Sequence, residues 1–258
     1  MKGTATKAQT VITSLFLFLL LLLHPPSLQP ALSLRLTIEE IQRFQSQLMD
    51  QPVGERIAFW AERFVGTPYD RDPAGEYVTR AVIVADERVD CMYLTFRSIE
   101  LALSRTPEEA VQIALDKRFH SRGMLKDGRV TNYEDRFEYG EDMIFSGKWG
   151  REITFQMGQT ERIRGSRGRT FVDILSSDTL SKNQNQLKSG DLLFFIKKPE
   201  KRIQQEIVGH IGIVKREGQA YLIHAAGTKK KGGEVMKVLL TEYLQTMPFV
   251  GVKITRFD

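Results

Sequence analysis

The chain has a single cysteine, Cys91, in 258 residues, and only four histidines. One cysteine cannot form an internal disulfide, and it excludes every Cys-x-x-Cys metal or redox motif. An excess of one charge is also missing. Lys and Arg number 37 against 32 Asp and Glu, an imbalance too mild to argue for nucleic acid as a partner. With 20 Gly and 9 Pro the chain is not collagen-like, and 41% apolar content excludes a disordered one. At about 150 residues per domain the length allows one or two domains. No apolar run reaches the roughly 20 residues that cross a membrane comfortably.

The longest such run, residues 11–23, follows the basic Lys2 and Lys7 and is broken by His24, Pro25 and Pro26. Ala31 and Ser33 then supply small residues at the −3 and −1 positions of a cleavage site. The pattern is that of a secretory signal peptide over residues 1–33, with an uncleaved anchor as the competing reading. No cysteine lies just past the cleavage point, the only one being Cys91, so no lipid attachment is expected. The expectation is an exported, periplasmic chain, with no stable membrane span after cleavage. Residues 34–258 would form a single domain with a helical N-terminal part and an insert at about 104–188. Without Lys2 and Lys7 the mature chain carries 35 basic and 32 acidic residues, a net charge of +3. Two clusters are more basic: Arg162, Arg164, Arg167 and Arg169, and Lys229-Lys230-Lys231. They read as solvated surface, or as attraction to an anionic polymer.

Thr37 and Glu40 spell a capping box for a helix to about Met49, with Ile38, Ile41 and Phe44 on its apolar face. A second helix spans residues 53–65 and ends at Gly66. Residues 78–84 read as a short strand. Asp90 is an N-cap for a helix from Cys91 to about Leu103, and Thr106-Pro107 opens another. Residues 120–188 give no clear elements. Residues 191–197, 208–215, 220–225 and 250–256 read as strands.

Cys91 at a helix N-terminus is placed where the macrodipole and free N–H groups favour a thiolate. Of the histidines past the leader, His120 sits among charges and reads as surface, whereas His210 and His224 lie on adjacent strand candidates. A three-residue loop of Arg216, Glu217 and Gly218, with Gly218 left-handed, pairs Lys215 with Gln219. Counting back along both strands then sets His210 directly opposite His224. One histidine can serve Cys91 as base while the other orients it. Two structural histidines on a half-buried strand, or a metal site of one Cys and two His, are the competing readings, though no closely spaced ligand pair supports the metal.

The order of motifs adds to this. Gly66-Thr67-Pro68-Tyr69, Val89-Asp90-Cys91, Gly190-Asp191-Leu192-Leu193-Phe194, Gly209-His210-Ile211-Gly212 and Leu222-Ile223-His224-Ala225 together resemble the NlpC-type cysteine peptidases. These are a papain-like group acting on bacterial peptidoglycan, and the details are most similar to its N-acetylmuramoyl-L-alanine amidase-like branch. The likeness spans about residues 55–258. It implies an α+β fold in which the helix bearing the nucleophilic cysteine packs on an antiparallel sheet bearing the histidines. It implies Cys91 as nucleophile, His210 as base and His224 as the orienting residue. Tyr69 would line the site and aid the oxyanion, Asp90 would be a polar neighbour, and Arg136 and Tyr139 would belong to the substrate pocket. Peptidoglycan or muropeptides would be the substrate, and neither metal nor organic cofactor is implied. The alternatives are an endopeptidase cutting between D-glutamate and the diamino acid, or a non-catalytic cell-wall binding module. Met92 and Tyr93 replace the small residues usual after the cysteine, and Glu138 replaces a histidine, which bears on the substrate more than on the chemistry.

Overall fold

In the computed structural model, which describes residues 36–258, helices surround a sheet whose recorded strand pairs are all antiparallel. The leader reading for residues 1–33 lies outside the described residues. The first half holds α1 (Ile38–Leu48), α2 (Val53–Arg63), α3 (Glu76–Thr79), α4 (Cys91–Leu103) and α5 (Pro107–Lys117). Then come β1 (Leu125–Lys126), β2 (Arg129–Val130), α6 (Gly140–Ser146), β3 (Arg151–Glu152), β4 (Glu161–Arg164), β5 (Phe171–Ser176) and α7 (Ser177–Asn183). The last third is β6 (Leu192–Ile196), β7 (Val208–Glu217), β8 (Gln219–Thr228), β9 (Gly232–Leu239), α8 (Leu240–Thr246) and β10 (Gly251–Arg256). The main sheet runs β4-β5-β10-β6-β7-β8-β9, with β3 also on β10, and β1 and β2 form a separate hairpin. The fold class is α+β.

The helices start where capping chemistry places them. Thr37 Oγ1 accepts from Glu40 N at 3.2 Å while the Glu40 carboxylate accepts from Thr37 N at 2.8 Å. Thr106 caps Glu109 N at 3.2 Å with Pro107 in the first turn. Gly66 ends α2 in the left-handed region (φ +86°), and its N–H goes to Val235 O at 2.8 Å, which ties that end to β9.

The sheet is apolar on both faces, which explains the unbroken run Leu192 to Ile196. Leu192, Phe194 and Ile196 face the layer of α1, α2 and α4, whereas Leu193 and Phe195 face α7 and α8. Helix α4 is buried without a break from Tyr93 to Ala102. It carries Arg97 and Glu100 into the core, where each needs a partner. Arg97 Nε meets Asp86 at 3.0 Å, and Arg118 grips Glu100 in a two-pronged pair at 2.6 and 2.7 Å.

Three expectations need correction. Residues 78–84 are not a strand: Gly75 and Glu76 start α3, and Asp70 Oδ2 takes the Glu76 N–H at 2.6 Å. That carboxylate anchors a turn of helix where β-branched residues alone pointed to extension. Ile38 is 62% exposed, so the buried side of α1 begins at Ile41. The β7–β8 hairpin pairs Lys215 with Tyr221 rather than Gln219, a slide of two residues. Gly218 is left-handed as expected (φ +74°). A slide of two keeps every side chain on its own face, whereas a slide of one would reverse them.

Candidate active site

Asp90 fixes the start of α4: its Oδ1 accepts the N–H of Tyr93 at 2.9 Å. Cys91 is therefore the first helical residue, half-buried, its sulfur directed at the sheet. What it meets there follows from the strand pairing. Val214 sends both its N–H and its C=O toward β6, to Asp191 and Gly190. By alternation the N–H groups of Ile213 and Ile211 point toward β8. Ile213 finds Ile223, where the β7–β8 pairing stops. β8 pairs with β9 from Tyr221 to Thr228 and keeps only that partner past Ile223, while β7 continues against β6. The two strands separate, and the Ile211 N–H lies against the Cys91 sulfur in the gap.

A bulge aims His210 at this gap. Phe195 pairs with His210 but Ile196 pairs with Val208, so Gly209 is an extra residue. A Cβ on Gly209 would stand 2.6 Å from the ring of Phe249, which explains glycine there. Glu141, buried at the start of α6, accepts the N–H groups of Ile207 and Val208 at 3.0 and 3.1 Å and so holds the entry to the bulge.

His210 Nε2 and His224 Nδ1 are 2.9 Å apart, with ring centroids 5.0 Å apart and planes nearly perpendicular. The imidazoles thus meet diagonally across the hairpin rather than face to face. Because Nε2 of His210 is engaged, its Nδ1 is the free nitrogen. Tyr243 of α8 packs edge-on to His224 at 4.8 Å, and Phe249 stacks on His210 at 6.3 Å.

Burial sets the protonation states. It pushes His210 down to about 3, with His224 adding to the effect, and His224 down to about 4. It pushes the Cys91 thiol up to about 12, with the Asp90 carboxylate adding to it; the Ile211 N–H and Lys229 pull the other way but lose. At Cys91 loss of water thus opposes the helix start and is the larger influence, and it shifts the thiol and both imidazoles toward their neutral forms. Tyr69 is likewise held well above its usual range, by burial first and then by Cys91, Asp90 and Asp70, so its hydroxyl remains a donor.

The structure brings Cys91, His210, His224, Tyr69 and Asp90 into one neighbourhood. Arg136 and Tyr139 stand apart in hydrogen bonding. Arg136 pairs with Glu138 at 3.2 Å and donates to Tyr133 O at 2.9 Å; Tyr139 lies under the Arg167 guanidinium at 3.8 Å. Adjacent Gly140 rests on Val208 and Ile211, which ties this segment to β7. Lys229, read as surface, instead faces Asp90 Oδ2 at 3.4 Å. Sequence reasoning did not reach Tyr243, Phe249 or Glu141, because each acts through contacts across many residues and no local pattern marks it. Among the described residues no group of three His, Cys, Asp or Glu side chains is placed to hold a metal ion.

No family model matches this chain, and no curated protein matches it in sequence. Solved structures do. An N-acetylmuramoyl-L-alanine amidase from Bacteroides uniformis is 19% identical with a TM-score of 0.60, covering 80% of this chain and 99% of its own. A Legionella pneumophila protein, LPG0564, of the DUF1460 family model, is 16% identical with a TM-score of 0.60, covering 84% and 93%. A Bacteroides fragilis protein with a provisional xylanase name is 18% identical with a TM-score of 0.59, covering 78% and 100%. At these identities the chain shares a fold with all three, and their names do not agree on an activity.

Proposed function

We propose that this chain is an exported cysteine hydrolase of the NlpC type that cuts an amide bond in peptidoglycan or muropeptides, namely the bond between N-acetylmuramic acid and L-alanine. The observation that carries the reading is the His210–His224 contact at 2.9 Å beside the strand gap in which Cys91 meets the Ile211 N–H. The amidase name of a structural neighbour supports the choice of bond.

In this reading His210 Nδ1 takes the thiol proton as Cys91 Sγ attacks the amide carbonyl carbon, while Nε2–H donates to His224 Nδ1 and fixes the tautomer. The first N–H groups of a helix have no partner within it, and Asp90 occupies only that of Tyr93. Those of Cys91 and Met92 are left for the oxyanion, together with the Tyr69 hydroxyl. The C–N bond then breaks, His210 passes its proton to the leaving nitrogen, and a thioester remains. Water, deprotonated by His210, hydrolyses the thioester to the acid and restores the thiol. Two neutral partners at rest suit this sequence, because the charge pair forms only during proton transfer.

The test is mass spectrometry of purified muropeptides incubated with the mature protein and with Cys91→Ala. Release of a free stem peptide beginning at L-alanine, abolished in Cys91→Ala, is expected. Cleavage after D-glutamate would replace the amidase reading with the endopeptidase one. Unchanged muropeptides that still bind would leave a binding module.

A further inference from the structure

The tip between β8 and β9 carries Lys229, Lys230 and Lys231 to the edge of the Cys91 site. Lys229 Nζ is 3.4 Å from Asp90 Oδ2 and 5.6 Å from the centroid of the Tyr69 ring, so it lies beside the residue that precedes the cysteine and the tyrosine that flanks it. The tip is held there: Arg71 Nη2 donates to Lys231 O at 2.6 Å, and a Cβ on Gly232 would stand 2.8 Å from the same guanidinium. One carboxylate does not use up this cation. An ammonium has three donors, the contact to Asp90 is long for an ion pair with hydrogen bonding, and a third of the Lys229 side chain is exposed. The neighbouring carboxylates are held by their own loop, although Asp72 also feels the Lys229 charge. Asp70 accepts the N–H groups of Asp72 and Glu76, and Asp72 accepts from Ala74 N and the Thr79 hydroxyl. Arg71, Lys230 and Lys231 are exposed around the same tip.

We propose that Lys229, held by the β8–β9 tip against Asp90 and Tyr69, forms an anion subsite that receives a carboxylate of the substrate next to the bond attacked by Cys91. The ligand class is an amide that also bears a carboxylate, as an acidic peptide does. As a statement about substrate this rests on the hydrolase reading above; as a statement about charge beside the sulfur it does not.

Alkylation separates the two, because Cys91 is the only cysteine and each adduct is therefore unambiguous. Iodoacetate and iodoacetamide both lose iodide to the thiolate and differ chiefly in that the first carries a carboxylate. Their rates on the mature protein are compared at one alkaline pH for wild type, Lys229→Gln, Lys229→Arg and Lys230→Gln. The iodoacetate-to-iodoacetamide ratio should fall about threefold or more in Lys229→Gln, the effect expected of one nearby unit charge in a wet site. Lys229→Arg should retain the ratio, and Lys230→Gln should change it less. Added salt should lower the wild-type ratio toward that of Lys229→Gln. An unchanged ratio in Lys229→Gln, or an equal fall in Lys230→Gln, overturns the subsite while leaving Cys91 a reactive thiol. A Cys91 inert to both reagents overturns the hydrolase reading and the subsite together.

Discussion

Acidification should destabilise this protein well before its carboxylates titrate, and the two histidines are the reason. In the native state burial holds His210 down to about 3 and His224 down to about 4. In the unfolded chain each returns to about 6.5. As pH falls below that value the unfolded state binds protons that the native state refuses, so stability present above about pH 6.5 is lost toward pH 4. At about pH 4.5 the loss is roughly 2.5 kcal/mol per histidine, on the order of 5 kcal/mol for the pair. For a domain of this size that corresponds to a melting temperature about 10–20 °C lower. Carboxylates such as Asp72, held down first by the Thr79 hydroxyl, contribute mainly below this window. Thermal unfolding followed by circular dichroism from about pH 7.5 to about pH 4.5 should therefore show a steep decline in wild type. The decline should be much shallower in a His210→Gln, His224→Gln double variant, which has nothing to titrate at these positions. A double variant that loses stability as steeply as wild type would refute the account.

Three further outcomes are expected. On muropeptides His210→Ala should lower turnover by about 10²–10⁴ or more, whereas His224→Asn, whose amide oxygen can still accept from His210, should retain much of the activity, with His224→Ala between them; the reverse order would exchange their roles. Gly209→Ala should push the Phe249 ring from its place over His210, costing about 1–3 kcal/mol in chemical denaturation and lowering turnover by more than the folded fraction accounts for. Glu100→Gln should cost about 3–5 kcal/mol in the same measurement by leaving the Arg118 guanidinium buried without its counter-charge, and replacing both residues with Met should cost less.

Much of this was legible locally. Thr37, Asp90 and Thr106 are caps whose effect ends within one turn, and all three helices begin where those residues place them. The four strands read from residues 191–256 are present because runs of buried β-branched and aromatic residues need no distant partner to be recognised. The hairpin register was not legible, because Gly218 supports several loop lengths; the shared face of His210 and His224 survived only because the slide was even. The strand β9 was missed because Gly232 and Gly233 begin it, and glycine usually marks a turn. The strand β4 escaped for a different reason: it is four residues long, three of them charged, and is stabilised by the pairing with β5 rather than by its own pattern.

The Ile211 N–H facing the Cys91 sulfur makes that one amide a built-in probe. Its proton resonance depends on the electron density of the atom it faces, and this shifts when the sulfur loses its proton, gains an acyl group or is capped by a reagent. In a uniformly ¹⁵N-labelled sample this single cross-peak would follow the chemical state of Cys91 through a catalytic cycle, with no label attached to the thiol and no residue changed.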